Sequence, residues 1–276
     1  METLKTLAAL REWRAKQKGT VGFVPTMGAL HDGHLSLVKR AKEENDHVIV
    51  SIFVNPTQFA PHEDYDTYPR ELTSDKAKLE TGGADAIWAP TPLEMYPEDF
   101  VTSVTVGGSV TSVLEGAFRP HHFGGVATVV AKLFGQVAPT NSYFGEKDYQ
   151  QLMVITRMAQ DLSIPTNVVG CPIYRDADGL ALSSRNAYLT AEQMVIAKKL
   201  NRILKEAIAN TKTMSIKDAE NRANDDLLIA GFHKIDYVVI RDAADLSEVT
   251  DGTTRPLRIL AAAWLGNTRL IDNMAV

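Results

Sequence analysis

Hydrophobic and polar positions along the 276-residue chain alternate in blocks of strand length and helix length. Residues 20–24 are uncharged and β-rich; Pro25-Thr26-Met27-Gly28 then breaks the run, and Asp32 is placed to cap a helix carrying Leu35, Leu37, Val38 and Ala41. Residues 47–54 are almost continuously apolar, the pattern of a strand buried on both faces. Residues 21–54 therefore read as one strand–helix–strand unit. The alternation continues with helices at 74–81, 125–137 and 148–162 and strands at 84–88, 142–144 and 166–170. It predicts a parallel sheet covered by helices. At the N-terminus Leu4, Leu7, Ala8, Leu10 and Trp13 stand at near-helical spacing, so residues 1–18 read as an amphipathic helix rather than a cleaved leader.

The pattern changes after Pro172. A polar loop at 175–186 leads to helical stretches at 191–210 and 216–230, then to strands at 235–240 and 257–264. The expected architecture is α/β: a Rossmann-like doubly wound parallel sheet over residues 1–174, with a smaller α+β C-terminal domain over 175–276. Composition agrees with a packed globular chain, since 45% of residues are hydrophobic and 23% charged. With 29 Lys and Arg against 34 Asp and Glu, the net charge of −5 supplies no overall positive field for a polyanion, so no nucleic-acid partner is expected. A local cluster of cations could still hold one nucleotide. The single cysteine, Cys171, forms no intramolecular disulfide and suits a reducing compartment. Apolar runs such as 48–54 and 259–265 are far shorter than the ~20 residues of a membrane helix.

Three polar clusters could carry chemistry. The first turn after a strand reads Thr26-Met27-Gly28-Ala29-Leu30-His31-Asp32-Gly33-His34. It lacks the G-x-G-x-x-G fingerprint of dinucleotide sites, but a strand, a glycine-bearing loop and a helix N-terminus together suit phosphate. His31 and His34 can project from one side of that helix, and the same spacing would also let a histidine merely cap it. The second cluster, Phe144-Gly145-Glu146-Lys147-Asp148-Tyr149-Gln150-Gln151, again joins a strand to a helix. Ligands of open α/β sheets collect at such ends, so Lys147 is expected to face the same crevice as the histidines, although alone it would read as a surface lysine. The third is Leu182-Ser183-Ser184-Arg185-Asn186, two hydroxyls beside a planar guanidinium in an otherwise ordinary loop. Gln58, in Phe53-Val54-Asn55-Pro56-Thr57-Gln58-Phe59, follows another strand end, and Arg119-Pro120-His121-His122-Phe123 reads as a mobile loop near the same mouth. No zinc-ligand spacing, G-x-S-x-G elbow or P-loop occurs, and Cys171 reads as a small buried hydrophobe.

With His31-Asp32-Gly33-His34 in the first strand-to-helix turn and Ser183-Ser184-Arg185 downstream, the chain resembles the nucleotidylyl-transferase superfamily with its HxGH signature. Pro25-Thr26-Met27-Gly28-Ala29-Leu30-His31, the Phe53 to Phe59 segment, the Phe144 to Gln151 segment and Ser183-Ser184-Arg185-Asn186 together resemble the pantothenate synthetase family, in that family's order. The resemblance implies that ATP and D-pantoate form pantoyl adenylate and pyrophosphate, after which β-alanine attacks the acyl carbon to give pantothenate and AMP. Magnesium would accompany ATP, and the family is typically a cytoplasmic homodimer serving coenzyme A synthesis, with the C-terminal domain closing over the site. By motif, His31 and His34 would contact ATP phosphates, His34 stabilising charge as the α-phosphate is attacked. Lys147, Ser183, Ser184 and Arg185 would hold the β- and γ-phosphates and the leaving pyrophosphate. Gly145 and Asp148 would lie at the ribose and Met27 at the nucleotide, with Gln58 and Gln151 holding pantoate and Asn55 orienting that pocket. Arg119 belongs to a loop that the family uses near the phosphates. A family carboxylate near Tyr68-Pro69-Arg70 is associated with magnesium, but the local order Thr73-Ser74-Asp75 leaves Asp75 without a firm assignment and the metal ligands unknown.

Adenylation needs no protein nucleophile, because the substrate carboxylate attacks; the protein supplies alignment and cationic stabilisation of a pentavalent phosphate. The missing triad fits this. Two other readings stay open: a sister nucleotidylyl transferase acting on a phosphorylated acceptor, which would need a basic pocket in place of the Gln58 and Gln151 amides, and a nucleotide sensor that binds ATP without releasing pyrophosphate.

Overall fold

Six parallel strands form the first sheet: β1 (Glu2–Leu4), β2 (Val21–Thr26), β3 (His47–Ile52), β4 (Ala86–Trp88), β5 (Asn141–Gly145) and β6 (Asn167–Cys171), in the order β1-β4-β3-β2-β5-β6. This computed structural model describes residues 1–61 and 63–276. The helices are α1 (Leu7–Lys16), α2 (Asp32–Glu44), α3 (Leu72–Thr81), the short α4 (Pro92–Met95), α5 (Ser109–Ser112) and α6 (Glu115–Phe118), then α7 (His122–Val137) and α8 (Tyr149–Asp161). They cover both faces. Leu10 and Trp13 of α1, Val126, Val130 and Phe134 of α7, and Ile155 and Met158 of α8 pack with Phe23, Ile49 and Trp88. Leu37, Val38 and Ala41 of α2 and Leu79 of α3 pack with Val24, Val48, Val50 and Ile87 on the other side. Ile49 and its neighbours Val48 and Val50 thus serve opposite cores, which explains the unbroken apolar run of β3. The expected doubly wound parallel sheet is the observed architecture.

Strand β2 lies between β3 and β5: the chain runs from it through β3 and β4 on one side and crosses back to β5 and β6 on the other, which makes the switch point where such folds bind ligands beyond the strands' carboxyl ends. Its pairing with β5 stops at Phe23–Ser142, whereas its pairing with β3 continues to Thr26–Ile52. Pro25 therefore sits inside the strand and does not break it. Val21 exchanges hydrogen bonds with Thr140 on the β5 side, so Phe23 and Pro25 share that side by parity. The missing N–H of Pro25 thus falls beyond the last pair with β5, where no ladder bond is lost.

The N-terminus departs from the single expected helix. Glu2–Leu4 adds the edge strand β1 beside β4, and Thr6 caps α1 by accepting a hydrogen bond from the Ala9 N–H at 3.2 Å. Leu4 is buried as part of that strand, at a position its near-helical spacing to Leu7 and Ala8 suggests for a helix. The expected mobile loop at 119–123 is likewise replaced: α7 starts at His122, and both His122 and Phe123 are buried.

The chain divides into two compact units, Met1–Glu146 with Gln150–Pro172, and Lys147–Tyr149 with Ile173–Val276. The second unit contains α9 (Ala191–Ala197), α10 (Lys199–Asn210), α11 (Ile216–Ala230) and an antiparallel sheet β7 (Lys234–Asp242), β8 (Leu257–Leu265) and β9 (Thr268–Ala275). The expected helix over 191–210 is two helices parted at Lys198. Strand β9 has no counterpart in the sequence reading, because its buried positions include Asp272 and Asn273 and break the alternation that marks a half-buried strand. This unit has its own core, with Leu200, Ile203 and Leu204 of α10 and Leu227 of α11 against Val238, Ile240, Ile259 and Ala261.

Candidate active site

The turn from β2 to α2 is held by its own histidines. His31, not Asp32, is the N-cap: its Nδ1 accepts the Gly33 N–H at 3.2 Å, and the His34 Nδ1 accepts the His31 N–H at 3.4 Å. Asp32 takes the first helical position, where a carboxylate favours the helix dipole. The reciprocal arrangement is a capping box built from two imidazoles, whose ring centroids lie 4.1 Å apart. Because Nδ1 accepts in both rings, the ring proton of each neutral imidazole resides on Nε2. Capping therefore sets the tautomer that makes each Nε2 a donor.

Helix α3 grips the same turn. Asp75, 1% exposed, accepts the Ala29 N–H at 2.9 Å on one oxygen and the Leu30 N–H at 2.8 Å on the other, and Lys78 donates to the Leu30 carbonyl at 2.7 Å. Ala29 has φ 52° and Gly28 φ 87°, both left-handed. A Cβ on Gly28 would come within 3.1 Å of the Asp75 carboxylate, so a side chain there meets both strain and crowding. Asp75 is thus committed to backbone donors, and among the described residues no group of three or more His, Cys, Asp or Glu side chains could hold a metal ion.

A second feature follows β3, where Pro56–Gln58 forms a 3-10 turn. Asn55 donates to Gln58 Oε1 at 3.1 Å and to the Gly125 carbonyl at 3.2 Å, while its Oδ1 accepts from Tyr96 Oη at 2.8 Å and Thr57 Oγ1 at 3.0 Å. Asn55 is 1% exposed. Its side chain organises Gln58 and is spent on protein partners. Gln58 Nε2 points to the thioether of Met27 at 3.3 Å, a weak acceptor that a ligand oxygen can replace. Helix α7 approaches this turn so closely that a Cβ on Gly125 would lie 2.3 Å from the Thr57 carbonyl oxygen. Gln151 is half-buried in the first turn of α8. Its neighbour Gln150 is a structural amide, bonding the Glu115 N–H and the Val110 and Val113 carbonyls.

Arg119 forms a two-pronged pair with Glu63, at 2.6 and 2.7 Å. Burial pushes the Glu63 carboxyl up, but the guanidinium outweighs it and holds the group below its usual range. His122 lies between Arg119 and Gln58, and burial first, then the Arg119 charge, lower its pKa to about 4.

In the second unit, β9 is the shared neighbour of two sequence-predicted clusters. Asn273 of β9 donates to the Lys147 carbonyl at 2.9 Å and accepts from Arg258 Nε at 2.6 Å. The Arg258 guanidinium stacks 3.8 Å from the Tyr149 ring centroid, and Tyr149 Oη donates to the Ala243 carbonyl. The 3-10 turn Ser184–Tyr188 packs on the same strand, capped by Ser183, whose hydroxyl accepts the Arg185 N–H at 3.3 Å. Lys147 Nζ is 3.9 Å from the Asp148 carboxylate, a loose pair that leaves the ammonium to be claimed by stronger partners. Gly145, at the end of β5, has an ordinary φ and nothing within 4 Å of an added Cβ, so packing does not demand a glycine there.

The family model for pantoate–β-alanine ligase matches residues 2–275. The chain belongs to the pantoate–β-alanine ligase family. The pantothenate synthetase of Caulobacter vibrioides is 53% identical, covering 99% of this chain and 98% of that one. That of Ruegeria pomeroyi is 52% identical, covering 99% and 96%. Among solved structures, pantothenate synthetase from Thermus thermophilus superposes with a TM-score of 0.93 at 48% identity and 99% coverage of both chains. Pantoate–β-alanine ligase from Francisella tularensis, complexed with β-γ ATP and β-alanine, gives 0.84 at 38% identity, covering 100% and 97%. For this ligase the structure gives buried polar contacts to Asn273, which sequence reasoning passed over, and to Gln150 and His122, which it named only within longer segments. Each is a buried polar group with at least one partner distant in the chain, so no local pattern marks it. A weak signal existed for Gln150, which shares its helix turn with Gln151.

Proposed function

We infer that the chain condenses D-pantoate with β-alanine, using ATP, through a pantoyl-adenylate intermediate. The observation that carries this is the imidazole pair at the sheet's switch point, with Nε2 donors fixed at a helix N-terminus and no protein nucleophile required. In the first step a pantoate carboxylate oxygen attacks the α-phosphorus and pyrophosphate leaves. His31 and His34 would donate to phosphate oxygens, His34 to those that gain charge at the α-phosphate. Lys147, Ser183, Ser184 and Arg185 would bind the β- and γ-phosphates and the leaving pyrophosphate. Magnesium would enter on the triphosphate as part of the substrate. In the second step the β-alanine amine attacks the acyl carbon, AMP leaves and the nitrogen loses a proton.

Gln58 and Gln151 would bind the pantoate hydroxyls and carboxylate, with Asn55 holding Gln58. The open space beside Gly145 suits a ribose, with Asp148 next to it and Met27 near the nucleotide. An amide pair in place of a basic acceptor pocket disfavours a sister transferase acting on a phosphorylated substrate. The reading also carries a cytoplasmic homodimer; a light-scattering mass of twice the chain supports the dimer and a monomer removes it. No helix among the described residues is long and apolar enough to cross a membrane.

The deciding experiment measures pyrophosphate and AMP release from MgATP with D-pantoate, with and without β-alanine. Sustained turnover only with both, and a stoichiometric burst of pyrophosphate with pantoate alone, is expected. ATP binding with no release in either case would sink the reading. Lys147→Ala is expected to remain folded and lose on the order of 10²–10³ in adenylation rate, by analogy with removing one oxyanion donor. Near-wild-type turnover would take Lys147 out of the mechanism.

A further inference from the structure

His122 occupies the first position of α7, buried, with one ring nitrogen facing each of two functional segments. Its Nε2 lies 3.3 Å from a terminal nitrogen of Arg119, and its Nδ1 lies 3.1 Å from the main-chain carbonyl of Gln58. A guanidinium has only donors, so Nε2 must accept. The ring proton is therefore on Nδ1 and is donated to the Gln58 carbonyl. No other tautomer satisfies both neighbours, and an imidazolium would set an N–H against the guanidinium. Arg119 is in turn fixed by the two-pronged Glu63 pair, giving one continuous chain from Glu63 through Arg119 and His122 to the backbone of Gln58.

We propose that His122 is a positioning residue for pantoate recognition, donating from Nδ1 to the Gln58 carbonyl and so setting the orientation of the 3-10 turn that presents the Gln58 amide. Side-chain and backbone restraints converge on this one residue. Asn55 holds Oε1 of Gln58, the close approach of Gly125 sets the floor of the turn, and His122 fixes the carbonyl at its C-terminal end. The turn is only three residues long, so losing the carbonyl anchor leaves the Gln58–Phe59 peptide plane to the longer bond from the Phe59 N–H to the Pro56 carbonyl, at 3.4 Å. The proposal rests on the reading of Gln58 as a pantoate ligand. It predicts an effect confined to pantoate, because among the described residues the hydrogen bonds of His122 run to the Gln58 carbonyl and to Arg119, which keeps its Glu63 partner.

The test compares His122→Leu, which removes both polar contacts at similar bulk, with His122→Asn, whose side-chain amide can replace the Nδ1–H donor. Steady-state constants are measured for each substrate in turn, with Gln58→Ala as a reference. His122→Leu is expected to raise the KM for pantoate about tenfold, leaving the KM for ATP and for β-alanine within about twofold, and His122→Asn is expected to recover most of the loss. The proposal is overturned if the pantoate KM of His122→Leu is unchanged while that of Gln58→Ala rises, if all three KM values rise together, or if His122→Asn is as impaired as His122→Leu. An unchanged pantoate KM in Gln58→Ala overturns the reading of Gln58 itself, and the proposal with it.

Discussion

The two histidines of the first turn each hold the helix start and orient a donor, so a simple deletion confuses structure with catalysis. Replacing His34 by alanine would break the capping box as well as removing Nε2. Glutamine at that position of a helix retains the box, since its side chain reaches back to the N-cap N–H. His34→Gln is therefore expected to unfold within a degree or two of the wild type while adenylation, read as pyrophosphate release, falls by on the order of 10². A normal rate would remove His34 from phosphate chemistry. His122 makes a separate prediction about pH. Its folded pKa of about 4 lies below the ordinary 6.5, so between these values the unfolded chain binds more protons than the folded one. Stability is complete above about 6.5 and falls as the pH drops through that window, by at most about 3 kcal/mol. Urea midpoints at pH 7 and pH 5 should show a smaller acid loss in His122→Asn than in the wild type; equal losses would show that His122 is not the group responsible.

At the scale of elements, strand β9 is the piece that periodicity missed and the second unit depends on. Its Asn273 bonds the Lys147 carbonyl with one arm and Arg258 with the other, so one amide ties the lysine turn to the sheet. Asn273→Asp keeps the acceptor toward Arg258 and loses the donor toward Lys147. It is expected to slow pyrophosphate release about tenfold with little change in the pantoate KM, a split that rapid-quench and steady-state measurements resolve. Strand β9 escaped the sequence reading because buried Asp272 and Asn273 occupy positions where a half-buried strand is expected to be apolar. Its neighbours were legible for the opposite reason. The run at β3 is apolar on both faces, and α2 carries Leu37, Val38 and Ala41 on one side, so local spacing and tertiary burial agree there. The edge strand β1 fell between these cases, since Glu2–Leu4 is only three residues long and supplies one buried apolar position, too few to show a period.

Across the whole molecule the apolar clusters separate by unit: both clusters flanking the parallel sheet draw only on residues of the first unit, and the third draws only on the second. Lys147–Tyr149 belongs to the second unit although the chain on either side belongs to the first. A chain ending at Pro172 is accordingly expected to keep the circular dichroism of a helical and parallel-sheet core, yet to release no pyrophosphate with pantoate, since Ser183, Ser184, Arg185 and β9 are gone. Adenylate formation by that fragment would show that the second unit is dispensable for the first step. The sequence by itself determined the alternation of strands and helices, the two faces of the sheet, and the motif residues at the ends of β2, β3 and β5, because those depend on spacing and on side-chain chemistry within a few residues. The tertiary structure alone decided that Asp75 accepts from the Ala29 and Leu30 backbone, that Asn55 meets the Gly125 carbonyl and Tyr96, that His122 meets the Gln58 carbonyl and that Asn273 meets the Lys147 carbonyl. Those facts depend on hydrogen-bond partners dozens to more than a hundred residues away, and no local pattern records which distant carbonyl a buried polar group will meet.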